Sequence, residues 1–163
     1  MDLWERIHDR LRDIKVIDVH EHLWDEGHRL EHPGDWSGLF FHYGITALQM
    51  AGMTPSEGKN LFAEGTPHAD KWGIFSRYFH LARNTGYLQA VLIALRDLYG
   101  IDEVTSASME ALTARIRDAV KPGFHRWVLQ ERAGIECAWV NCFDVDEQGN
   151  RYPVRDWGGT ELL

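Results

Sequence analysis

The chain has 163 residues, 44% of them hydrophobic and 12% aromatic, which is the composition of a globular protein and excludes a disordered one. A formal charge of −8, with no run of Lys and Arg to offset it, argues against a nucleic-acid backbone or an anionic membrane as partner. No apolar stretch reaches membrane-spanning length, and the charged start Met1-Asp2-Leu3-Trp4-Glu5-Arg6 has no signal-peptide character.

Asp2 is placed to cap a first helix whose Leu3, Trp4, Ile7, Leu11 and Ile14 recur at helical spacing. A short run rich in β-branched residues follows, Val16-Ile17-Asp18-Val19, and predicts a strand over about residues 15–20. Side chains two apart on a strand point the same way, so Asp18, His20 and His22 share one face and Val19 and Glu21 the other. Two imidazoles closing a buried strand form half of a metal site, since neutral imidazole ligates zinc and similar ions. Asp18 could either orient His20 as an acceptor or bond to backbone, and the pattern leaves both open.

Residues 24–38 carry Pro33, three glycines, His28 and His32, and read as a loop. His28 and His32 have the spacing of a helical metal pair, but Gly27, Pro33 and Gly34 speak against a helix there. Thr46 to Met53 predicts a buried helical turn or two, and Thr54-Pro55-Ser56-Glu57 is a capping box with Pro at the first helical position. Asp70 is expected to cap a helix carrying Trp72, Phe75, Tyr78 and Phe79. The strongest amphipathic pattern runs through Tyr87, Leu88, Val91, Leu92, Leu95 and Leu98, with Gly100 as its stop. Ser106 or Ser108 should open another helix, and Phe124, Trp127 and Val128 fit a short one that stops near Gly134. His42, His68, His80 and His125 are scattered and read as surface or satisfied core residues.

Ile135 to Phe143 predicts a second strand. Strand, long helical crossover, strand makes the pair parallel. Cys137 and Cys142 fall on opposite faces of that strand, so no disulfide joins them, and a reducing cytoplasm fits. The tail from Asp144 to Leu163 is rich in Gly and Asp.

Ile17-Asp18-Val19-His20-Glu21-His22-Leu23 resembles the first-strand signature of the amidohydrolase superfamily, metal-dependent hydrolases built on a (β/α)₈ barrel. The helical stretch from Tyr78 to Tyr99 is more loosely similar to the amidohydrolase-related and uronate-isomerase-like branches. The resemblance implies an α/β fold as a single domain over 1–163: an incomplete TIM-type barrel of two parallel strands with a mostly helical insertion at 23–134. It implies a divalent ion, zinc first and manganese second, held by His20 and His22. The family's further ligands and its water-activating Asp come from later strands and find no counterpart in these 163 residues.

The implied activity is hydrolysis of a C–N or C–O bond of a small molecule by metal-activated water. A uronate isomerase and a truncated, non-catalytic domain are the alternatives. Arg83 and Tyr87, where a loop enters the strongest helix, are candidates to bind an anionic substrate group, with plain helix capping as the competing reading. Apolar surface is expected on the strand pair, at Val16, Cys137 and Trp139, and with it self-association of the chain.

Overall fold

The computed structural model describes residues 2–23, 26–140, 143–145 and 151–153, and the side chains of 2–23 and 26–138. The chain forms two compact units: residues 33–120 make one, and the flanking segments 1–32 and 121–163 make the other.

In the flanking unit, α1 (Leu3–Arg12) starts on a capping box in which Asp2 accepts from the Glu5 amide and Glu5 accepts from the Asp2 amide, both at 2.8 Å. β1 (Val16–Glu21) pairs in parallel with β2 (Ile135–Val140), as the crossover logic requires. The register runs from Val16 opposite Ile135 to Glu21 opposite Val140, with irregularities after Val16 and between Asp18 and Glu21. Two short antiparallel strands, β3 (Phe143–Val145) and β4 (Arg151–Pro153), lie in the tail, where composition alone predicted none. Asn141, Cys142 and the rest of the tail lie outside the described residues, as do Trp24 and Asp25.

Residues 24–38 are not simply a loop. α2 (Glu26–Glu31) is helical, and the His32 amide extends its ladder to the His28 carbonyl at 3.0 Å. Pro33 then ends it, because the residue before a proline avoids helical geometry. What the local sequence does not reveal is the long-range anchor. The Glu26 carboxylate accepts from the amides of Gly123 (3.1 Å) and His125 (2.9 Å), and the Arg29 guanidinium sits over the Phe124 ring. Burial works against the Glu26 charge, but the His125 and Gly123 amides outweigh it and hold the carboxyl below its ordinary range. Past the α-helical residues Phe124 and His125, Arg126–Arg132 forms a π-helical segment that ends before Gly134 at φ 67°.

The 33–120 unit holds every buried side chain among those described. It begins with a 3₁₀ turn, Trp36–Phe40, that Asp35 caps through the Ser37 amide at 2.8 Å. α3 (His42–Met50), α4 (Pro55–Phe62), α5 (His68–Ala82), α6 (Gly86–Tyr99) and α7 (Ser106–Ala119) follow. The Thr54 capping box forms as its spacing predicts. α5 starts earlier than expected: Pro67 is its cap, and Asp70 lies inside its first turn, where a carboxylate suits the helix dipole. Thr105 caps α7, with Ser106 as its first helical residue.

The core is aromatic at its centre. The Phe75 ring stacks on Phe79 at 4.8 Å, meets Trp36 edge to face at 5.1 Å and lies tilted 4.6 Å from Phe40, and Leu48, Leu61, Leu88, Leu95, Met109, Leu112 and Ile116 close around them. Burying such side chains stabilises the unit by roughly 1.5–3 kcal/mol each. The architecture is therefore mostly helical, with one parallel strand pair. None of the described helices is long and apolar enough to cross a membrane.

Candidate metal centre and its surroundings

β1 ends at Glu21, so His20 lies in the strand and His22 just past it, and their rings lie together. The centroids are 4.9 Å apart, edge to face at 83°. His20 is exposed and His22 is exposed, so neither imidazole is packed into an apolar interior.

The two carboxylates beside them behave differently from a simple two-residue alternation. Asp18 Oδ1 accepts from the His20 backbone amide at 3.1 Å. Of the two roles that the sequence leaves open for Asp18, this is the backbone one; the ring of His20 is not its partner. Asp18 also shares a side-chain hydrogen bond with Glu21, which strict alternation would put on the opposite face. The register break between these two residues is what brings them together. Burial, the bond to Asp18 and the charge of Asp18 push the Glu21 carboxyl up to about 7.

Among the described residues, no group of three or more His, Cys, Asp or Glu side chains is gathered to hold a metal ion. Two imidazoles can supply at most two positions of a divalent shell, so water or further ligands would have to fill the others.

The substrate-binding candidates lie in the other unit. Arg83 is an exposed residue at the C-terminal end of α5, and its carbonyl accepts from Gln89 Nε2 at 2.8 Å. Tyr87 stacks on Tyr43 at 4.7 Å and 16°. Both tyrosines line an open cavity of about 690 Å³ with Met50, Leu81, Ala82 and Thr85. That volume suits a small molecule, although the walls are mainly apolar. Arg83 is not among the residues that line it. Thr85 makes no side-chain bond to the start of α6.

A polar cluster that the sequence did not bring to notice sits in the 33–120 unit. Lys71, 2% exposed, donates to Asp35 Oδ2 at 2.6 Å and to Ser37 Oγ at 3.1 Å. Ser37 Oγ in turn donates to Asp35 Oδ1 at 2.6 Å. Next to it, the Trp36 indole N–H donates to His68 Nδ1 at 3.0 Å. The other ring nitrogen of His68 therefore carries the proton and donates to Ser106 Oγ at 3.1 Å. A Ser–Lys contact can activate a nucleophile. Here the ammonium is paired to a carboxylate and Ser37 is 2% exposed, so the cluster acts as a buried tie. The signal available in sequence was the Asp35-Trp36-Ser37 cap pattern; nothing local pointed to Lys71 as its partner. His68 is a satisfied histidine, as expected.

Comparison of the chain with protein-family models, with curated proteins and with solved structures returned no match.

Proposed function

We propose that the chain carries the first-strand metal grip of an amidohydrolase-type hydrolase, with His20 and His22 as ligands to a divalent ion, zinc in the first place. The observation that carries the reading is the side-by-side pair of accessible imidazoles at the end of a strand that runs parallel to the next one. The barrel of which this strand pair would be the opening part belongs to the same proposal. A bound ion of this kind polarises a carbonyl and lowers the pKa of a coordinated water for attack on a C–N or C–O bond. The protein's own contribution is to hold two imidazoles at a fixed spacing. The Asp18 bond to the His20 amide ties down the backbone that carries them.

Two ligands leave the shell open to water, so binding is weak and the 163-residue chain alone is expected to bind without turning over. Metal-stripped protein should take up zinc or manganese on dialysis, as read by elemental analysis. His20→Ala with His22→Ala should remove that uptake, and amides, lactones and uronates should stay at background rates. Metal uptake unchanged in the double variant would sink the assignment. Robust metal-dependent turnover lost in that variant would show instead that a complete site is assembled.

A further inference from the structure

We propose that the cavity between α3, the end of α5 and the start of α6 binds a neutral, flat aromatic molecule bearing one hydrogen-bonding group, of the naphthol or indole kind. Its lining lies wholly within the 33–120 unit and shares no residue with the His20–His22 pair. Small residues make the room. Ala47 and Ala82, both buried, form the floor, and Ala51 and Gly86 add no bulk beside them. A Cβ built on Gly86 would meet nothing within 4 Å, so that side is open space. Large side chains then stand around the floor: Tyr43, Met50, Leu81 and Tyr87, between 50% and 86% exposed. Phe41 and Ile93 apart, these are all the large apolar side chains that the 33–120 unit leaves so exposed. A unit that buries its other apolar groups gathers the uncovered ones around one concavity, which is the distribution of a ligand groove.

The chemistry of the lining selects the ligand. No charged side chain contributes to it, so a charged ligand would give up hydration with no counter-ion in return. A neutral molecule therefore takes the place of the anionic group that the sequence suggests for Arg83 and Tyr87. Flatness is favoured by the tyrosines, whose planes lie within 16° of parallel and present a stack that a further ring can extend. Met50 adds a soft, polarisable thioether suited to a ring edge. Thr85 precedes α6 without a side-chain bond to it, so its hydroxyl is at hand for one polar group of the ligand. The volume of about 690 Å³ falls within the range of roughly 300–1,000 Å³ typical of small-molecule sites.

The test titrates the full chain, isotope-labelled at its Met and Ala methyl groups, with β-naphthol, with the anion β-naphthoate and with the saturated, non-planar β-decalol. β-Naphthol should shift the methyl signals of Met50, Ala47, Ala51 and Ala82 saturably, and bind about tenfold more tightly than either of the others. Tyr43→Leu with Tyr87→Leu should weaken β-naphthol about tenfold while circular dichroism keeps the same helicity. Gly86→Leu should weaken it by crowding the cavity with both rings in place, and decides the matter if the double tyrosine variant loses helicity. Trp4→Glu with Leu11→Glu, which makes the α1 stripe polar, should leave the affinity unchanged. The proposal is overturned if no saturable shift appears at these methyls, or if β-naphthol binds a folded tyrosine variant or Gly86→Leu as tightly as the unmodified chain. β-Naphthoate or β-decalol binding as tightly as β-naphthol, or an affinity lost with the α1 stripe, overturns it equally.

Discussion

At the scale of single residues, the 33–120 unit depends on one charge that has no route to solvent. Lys71 is buried, and Asp35 is what makes its ammonium tolerable there. Burial raises the cost of the Asp35 charge, but the bonds from Lys71 and Ser37 outweigh it and hold the carboxyl below its ordinary range. A carboxylate depressed in the folded state contributes stability above its unfolded pKa, and loses it as pH falls through the lower, folded value. Stability is therefore expected to hold down to about pH 4 and to fall below it, where the unfolded chain takes up the proton first. Asp35→Asn should flatten that acid limb and lower stability at pH 7. Asp35→Ala, which strands the ammonium, should cost about 3 kcal/mol or more in urea denaturation. A urea midpoint for Asp35→Ala within error of the unmodified chain would mean that Lys71 finds another partner.

The same scale shows what a sequence can and cannot say about a site. The nearness of His20 and His22 was legible because a strand's period of two is a local rule. Their neighbours Asp18 and Glu21 were not, since the irregular pairing with β2 sets which way Glu21 turns. Nothing in the sequence around Lys71 sets it apart from a helix-surface lysine. Its burial follows from where α5 lands on the 3₁₀ turn, which is decided by packing partners more than 30 residues away.

At the scale of elements, the helices whose ends are written in local chemistry were readable and the others were not. The Thr54 box, the amphipathic stripe of α6 and the Gly100 stop needed only neighbours within a turn or two. Gly100 sits at φ 62°, ψ 40°, and its N–H closes onto the carbonyls of Arg96 and Leu95. A Cβ there would meet the Arg115 guanidinium only at 3.6 Å, so the penalty of Gly100→Ala is conformational, about 1 kcal/mol. Thr54→Ala should cost about the same by releasing the Glu57 amide. The Glu57 carboxylate is held down at about 2 by the Thr54 amide and hydroxyl and by the Tyr78 hydroxyl, so the cap stays charged through mild acid. Thermal melts of both variants check these values, and a Gly100→Ala melt matching the unmodified chain would deny the left-handed stop its role. α2 escaped local reading because its glycine and proline neighbours outvote it, while the Glu26 anchor lies 97 and 99 residues away.

At the scale of the whole molecule, apolar surface is unevenly distributed. Leu3, Trp4, Ile7 and Leu11, the stripe of α1, and Ile14 just past it are between 51% and 69% exposed, and Ile17 and Val19 of β1 are 66% and 75% exposed. The expectation of exposed apolar surface on β1 holds at Val16; Cys137 is half-buried, and the Trp139 side chain lies outside those described. The larger share sits on α1, which the alternation of the strands could not indicate. Such an area on a monomer favours association. Sedimentation velocity is expected to show concentration-dependent self-association, reduced by Trp4→Glu with Leu11→Glu. A monomer at every concentration, with no binding of an apolar-surface dye, would contradict this.

The two-unit layout also sets an order of assembly on the ribosome. Residues 33–120 are contiguous, so this unit has all its core in hand as soon as its last helix leaves the exit tunnel. The first 32 residues have no such luxury: Glu26 waits 97 residues for Gly123 and 99 for His125, and β1 waits longer still for β2. At about 5–20 residues per second that is a delay of several seconds or longer, during which the nascent chain presents the α1 stripe and an unpaired strand to whatever is nearby. A polypeptide of residues 33–120 alone should melt cooperatively as a helical protein, and ribosome-stalled chains ending shortly before β2 should be captured by chaperones through their first twenty residues. A fragment that melts without cooperativity would show that the inner unit, too, waits for the flanks.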